Sequence, residues 1–362
     1  MNKLFLTLSI SLLLFTACKD INTFTLNDSQ GTFVLNQGDS ETSTLSRYDY
    51  EQKIVTNNLF KSKNNGNELG ANVSVFKVKK TDKYTSGLGF FVFPERDEVE
   101  AMSMSTYGII GNVDELSHPN DILIANSNWA YVSCGDGISE GDDDNVVTKV
   151  DIESFEVTDT RIKVGAGPDK LVSAGKYLYV ANKMDGTVSI IDMTNDVLVE
   201  TIEVGGYPFD MAVDIDLNIW VYCDGDAAGS NQSLYVISRV TGGDVLTHSV
   251  EERVTFLNQE DHGKNAIITS LDGRHLYFVH GKTHRMSVYE SDYRGAMHDD
   301  SKYKDATLYS IAFESRTGKL QGLYKVDGSN GKLLVFDTKE DDHYLGQEYT
   351  VGINPIQIEY NY

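Results

Sequence analysis

The chain has 362 residues, with 54 Asp and Glu against 31 Lys and Arg, for a formal net charge of −23. A hydrophobic fraction of 40% and a charged fraction of 23% belong to a folded chain and exclude wholesale disorder. The acidic balance also excludes a nucleic-acid partner, because that affinity comes from Lys and Arg neutralising phosphates.

Thirty-one Gly and 20 Tyr beside only 5 Pro predict many turns and aromatic strands rather than long helices. Three Cys are too few for a disulfide scaffold. At the start of the chain, Lys3 precedes an apolar run from Leu4 to Phe15, too short for a transmembrane helix, which needs about 20 apolar residues. Small residues Thr16 and Ala17 then lead to Cys18. The segment Phe15-Thr16-Ala17-Cys18 resembles the lipobox of bacterial lipoproteins. That resemblance implies that residues 1–17 are a signal peptide, that Cys18 is lipidated, and that residues 18–31 form a short polar leader. Lys19 and Asp20 resemble the charged residues that accompany surface export in Bacteroidota-type lipoproteins. The expected location is the outer membrane, lipid-anchored and facing the exterior, with the acidic body held off anionic lipid.

Beyond the leader the chain repeats itself. The clearest unit runs from Pro168 to Gly205 and holds four apolar runs: Lys170–Ser173, Tyr177–Ala181, Thr187–Ile191 and Val197–Val204. Pro208 follows Pro168 by 40 residues, and a four-strand unit of about 40–45 residues is the period of a β-propeller blade. Second strands are expected at Phe33–Asn36, Leu88–Phe93, Trp129–Cys134, Tyr177–Asn182, Ile219–Cys223, His275–His280 and Leu320–Lys325. The fold class is therefore all-β: a single propeller over residues 32–362, with seven four-stranded blades. Ile356–Tyr360 reads as an orphan first strand that completes the first blade and covers two bare sheet edges.

Several motifs invite chemical readings. Third strands end in Asp at Asp49, Asp151, Asp192 and Asp337, where a side chain bonding backbone N–H groups opens a hairpin. Cys134 and Cys223 fall in blades three and five, too far apart for a disulfide, and are expected as buried thiols. A metal site from these two and His280 has no supporting ligand spacing. His280 and His284 have an H-x₃-H spacing, but in a strand end and turn, which reads as a surface loop. Gly328-Ser329-Asn330-Gly331-Lys332 lacks the Ser/Thr and the helix of a phosphate loop, and reads as a hairpin turn. Glu140, Asp142, Asp143 and Asp144 concentrate hard oxygen ligands in the acidic insert Asp136–Asn145; Ca²⁺ is the cation they would suit, although a solvated loop is the simpler reading. No cofactor is otherwise called for.

The repeat resembles the YVTN-type propellers of bacterial surface-layer proteins, through Tyr179-Val180-Ala181-Asn182, Gly186-Thr187-Val188-Ser189-Ile190-Ile191-Asp192 and Val204-Gly205-Gly206-Tyr207-Pro208. The opening Phe33-Val34-Leu35-Asn36-Gln37-Gly38 and closing Val351-Gly352-Ile353-Asn354-Pro355 are similar to those of Bacteroidota surface propeller lipoproteins. Some of these capture cobalamin for a TonB-dependent outer-membrane transporter. The resemblance implies a non-enzymatic binding protein that gathers a small molecule for uptake. The alternatives are a propeller enzyme (a metal-assisted lactonase, lyase or hydrolase) or an adhesion or surface-layer protein. The ligand site is expected where blade connections converge at the channel mouth. His118, Tyr207, Phe209 and Tyr309 would offer flat surface there, and Asn120, Lys183, His262 and Lys264 would offer donors.

Overall fold

Each predicted second strand is a strand, and each anchors one of seven four-stranded antiparallel sheets. The computed structural model describes residues 29–361 apart from 40–41, 138–143, 226–228, 230, 241–246, 299–300, 327 and 340–341. Blade four is formed by Pro168–Ala174, Tyr177–Asn182, Thr187–Asp192 and Val197–Glu203, in that order across the sheet. Its second strand is buried at every position, whereas its outermost strand exposes Val197, Leu198 and Val199. A strand packed between neighbouring blades has no solvent face, so it reads as a continuous apolar run.

The ring closes as the sequence predicts. Pro355–Asn361 pairs antiparallel with Gly31–Asn36, giving blade one the order 355–361, 31–36, 44–49, 54–56. Gln37 N–H donates to the Asn354 carbonyl at 2.8 Å, extending the clasp past the strand ends.

The hairpin reading of the third-strand aspartates holds. Asp49 Oδ1 accepts from the N–H groups of Glu51 and Gln52, and Asp151 Oδ1 from those of Glu153 and Ser154. Cys134 and Cys223 are buried free thiols. Residues 328–332 lead into a hairpin strand, Asn330–Lys339. Three features depart from the repeat. A short helix, Leu59–Lys63, buries Leu59 and Phe60 beside blade two. Blade six both begins and ends in three-residue strands, Ile267–Thr269 and Tyr293–Gly295. The H-x₃-H pair is not a surface loop: His280 and Lys282 face each other across a tight turn, and the His284 ring stacks on Phe278 and is mostly buried. Burial pushes both imidazoles down to about 4, which leaves them neutral at pH 7.

Adjacent blades are joined at the channel by one recurring device. Two residues after the blade-entry proline, a polar side chain reaches the next blade's first strand. Asp121 accepts from Leu171 N–H at 3.0 Å, and Asp210 from the N–H groups of Ala266 and Ile267 at 2.7 and 3.0 Å. Gln357 brackets Phe76, accepting from its N–H and donating to its carbonyl. In blade four this position is Lys170, a cation where blades three and five carry Asp.

Candidate functional site

Lys170 determines what the channel mouth becomes. Its ammonium lies 3.2 Å from Asp210 Oδ1 and donates to Asn265 Oδ1 at 2.8 Å. Asn265 in turn donates to the Ile356 carbonyl of blade one at 3.1 Å. Lys264 reaches from the entry to blade six to the Ser74 carbonyl at the entry to blade two, at 2.5 Å. Blades seven and one lie between those two, so the Lys264 side chain spans the mouth and sets its amine close to the axis. These bridges line a cavity of about 310 Å³, whose wall includes Asp169, Lys183, Phe209, His262, Lys264 and Tyr309.

The wall is held rigidly. His262 stacks on Phe209 with ring centroids 4.0 Å apart and an interplanar angle of 20°. Its Nδ1 faces the Gly263 carbonyl at 3.0 Å and its Nε2 faces Asp224 Oδ2 at 3.3 Å. Gln232 donates to the other oxygen of Asp224, fixing the carboxylate behind the imidazole. Gly263 is required because a Cβ there would meet the Tyr309 carbonyl at 1.9 Å. That close approach lets Lys264 N–H donate to the same carbonyl at 2.9 Å and anchors its backbone.

Two lysines of this channel are pushed in opposite directions. Burial would lower Lys170, but Asp210 and Asp121 outweigh it and hold it firmly protonated. Lys264 forms no ion pair with any described residue; burial lowers its pKa, and with the Lys170 and Lys183 charges it outweighs the opposing pull of Asp169 and Asp121. Burial raises the Asp169 carboxyl despite the lysines around it, and that carboxyl has no hydrogen bond to a described residue. Deeper in the channel, burial also raises Glu359, whose Oε1 accepts from Val78 N–H at 3.1 Å.

Glu359 gives a pH-dependent expectation. Its folded pKa lies above the unfolded value, so its contribution favours folding at low pH and is lost as pH rises through the folded pKa. Glu359→Gln keeps an acceptor for Val78 and removes the buried charge. The variant should gain melting temperature relative to the parent between pH 4 and 8, most at the alkaline end, by calorimetry. A difference independent of pH would contradict this.

Of the eight residues expected at the mouth, Lys183, Phe209, His262, Lys264 and Tyr309 line the cavity. Asn120 donates to the Gly135 and Pro168 carbonyls, joining two blade entries. His118 occupies a left-handed turn, its N–H donating to Asp97, and Tyr207 begins the first strand of blade five; neither lines the cavity. Phe209 is only 9% exposed and packs on Tyr222 as well as His262. It therefore supports the fold as well as the wall. Phe209→Ala is expected to cost about 3 kcal/mol of stability in urea unfolding, and an unchanged midpoint would contradict its place in the core.

The sequence reading missed Asp169, Lys170, Asp210, Asp224 and Glu359. The signal for the first three was the repeat itself: aligning the blade-entry prolines shows Lys170 replacing an Asp. Glu140, Asp142 and Asp143 lie outside the described residues, as does Cys18. Asp144 accepts from Ser117 Oγ at 2.6 Å. Among the described residues no group of three His, Cys, Asp or Glu is arranged to hold a metal ion.

The fold and this cavity define a seven-bladed propeller with a polar, charge-bearing site in its axial channel. The chain belongs to the family described as Domain of unknown function (DUF5074), whose model matches residues 30–284. No curated protein matches the sequence. Among solved structures it is similar to a quinonprotein alcohol dehydrogenase-like protein from Bacteroides thetaiotaomicron, at 13% identity and a TM-score of 0.63, covering 93% of this chain and 80% of that one. It is also similar to the periplasmic gluconolactonase PpgL of Pseudomonas aeruginosa, at 15% identity and a TM-score of 0.61, covering 92% and 99%. Hydrazine synthase of Kuenenia stuttgartiensis matches at 17% identity and a TM-score of 0.57, covering 80% and 90%. These likenesses establish the fold. They also correct the expectation of a non-enzymatic protein: this architecture, over nearly its whole length, is one that named enzymes use.

Proposed function

We propose that the protein is an acid–base enzyme acting on a small, oxygen-rich molecule held in the axial cavity, in the lactonase, lyase or hydrolase class. The observation that carries this reading is the pairing of Lys264 and Asp169 in one cavity, an amine pushed toward its neutral form beside a carboxyl pushed toward its protonated form. Lowering the amine makes it a readier proton acceptor and raising the carboxyl makes it a readier proton donor, which are the two roles of acid–base catalysis. Structural ion pairs tend to hold lysines charged, as Asp210 holds Lys170; the unpaired Lys264 is arranged for something else. His262, its nitrogens held by the Gly263 carbonyl and Asp224 and its ring stacked on Phe209, forms a fixed aromatic wall against which substrate can rest.

A cavity of about 310 Å³ suits a small metabolite; cobalamin is several times larger and would have to lie across the rim. The proposal includes lipid anchoring at Cys18 in the outer membrane, which would place the enzyme where it meets extracellular substrate. Turnover of a panel of small lactones, sugar acids and 2-oxo acids, followed by proton release and product analysis, tests the reading. Activity on one of them that falls at least 100-fold in both Lys264→Met and Asp169→Asn, with folding retained, is the expected result. Activity that survives both changes would overturn it.

A further inference from the structure

The channel holds a nucleophile as well as a base. We infer that Lys264 forms an imine with the carbonyl group of a small carboxylate-bearing substrate, a 2-oxo acid, in the axial cavity; this rests on the catalytic reading above and names its substrate class.

The geometry supports it in three ways. Lys264 Nζ spends one N–H on the Ser74 carbonyl and has no ion pair among the described residues, so on losing its proton it has a lone pair to turn to the cavity. Asp169, on the same wall and without a hydrogen-bond partner among the described residues, can deliver a proton to a carbonyl oxygen. Lys183 is exposed on the wall with no ion pair among the described residues, and gives a carboxylate a cation to dock against. Lys170, occupied by Asp210 and Asn265, stays a fixed charge. A cationic neighbour of this kind is one of the known means of keeping a catalytic lysine neutral, and the lowered pKa of Lys264 agrees with it.

The step balances without an oxidant or reductant. The Nζ lone pair attacks the carbonyl carbon and forms the C–N bond, while the C=O π pair moves to oxygen, which takes the Asp169 proton. The nitrogen returns a proton to the Asp169 carboxylate. That proton passes to the new hydroxyl, which leaves as water as the nitrogen lone pair forms the C=N bond, and the remaining N–H proton of the iminium returns to the Asp169 carboxylate. One amine and one carbonyl give one imine and one water.

The test is reductive trapping of the full chain with pyruvate and cyanoborohydride near pH 7, followed by peptide mass mapping. Expected is one reduced pyruvate per chain on Lys264, at least about 10-fold faster than on any exposed lysine, since neutral amine fraction sets the rate. Lys264→Arg should abolish that adduct. Lys183→Ala, at an exposed position that should leave the fold intact, should raise the half-saturating pyruvate concentration at least about fivefold, the loss of one charge-assisted contact. Labelling spread over surface lysines in proportion to exposure, with Lys264 no faster, overturns the inference. Turnover of another substrate class without a Lys264 adduct would remove the imine and leave the acid–base reading standing. A Lys264 adduct without turnover of any panel member would keep the imine and remove that reading.

Discussion

Deletion of residues 355–362 is expected to leave a chain without a cooperative unfolding transition. The deletion removes the innermost strand of blade one and with it the full pairing to Gly31–Asn36. Ile356 and Ile358 are both buried, and each buried aliphatic side chain contributes about 1.5–3 kcal/mol. Gln357 also leaves, taking both of its bonds to Phe76 and so the staple between blades one and two. Against a total stability of about 5–15 kcal/mol, these losses consume most of the margin. They also bare the edge of the Gly31–Asn36 strand, which invites aggregation. Urea unfolding followed by circular dichroism measures the effect. A truncated chain that unfolds at the parent's midpoint would show that the clasp is dispensable.

Asp210→Ala should be the most damaging single substitution in the channel, at about 3–5 kcal/mol. One carboxylate satisfies the N–H groups of Met211, Ala266 and Ile267 and neutralises Lys170. Truncation strands the buried ammonium and orphans the backbone donors at the start of blade six. Asp210→Asn keeps an acceptor oxygen and should lose less, because only the charge is removed. A loss below about 1 kcal/mol for the Ala variant would mean that solvent replaces these partners, and that Lys170 is not locked.

The repeat was legible because propeller strands carry their signal in short range. Tyr177–Asn182 alternates with turn residues at a fixed period, and its burial on both faces writes the fold as an apolar run. Closure was legible for the same reason, as one strand too few at the start and one too many at the end. The site was legible only in part. Phe209, His262, Lys264 and Tyr309 stood out as aromatic or basic residues in blade connections, and the structure brings them together. What makes the site unusual lies in relations across the ring. Lys264 meets Ser74 and Lys170 meets Asn265, pairs separated by 190 and 95 residues, and no local pattern links them. Asp169 did not stand out because the equivalent positions in blades three and five are Asn120 and Phe209, so no acidic residue recurs there. The helix Leu59–Lys63 escaped notice because five residues carry too little periodicity to register.

The central claim is that Lys264 loses its proton more readily than an ordinary lysine because of its place in the channel. Competitive labelling with an amine-selective reagent, read lysine by lysine from about pH 6 to about pH 11, measures this directly against the usual lysine value of about 10.4. The account predicts that Lys264 titrates below that value and Lys170 above it. A Lys264 midpoint at or above that of the exposed lysines would contradict the account.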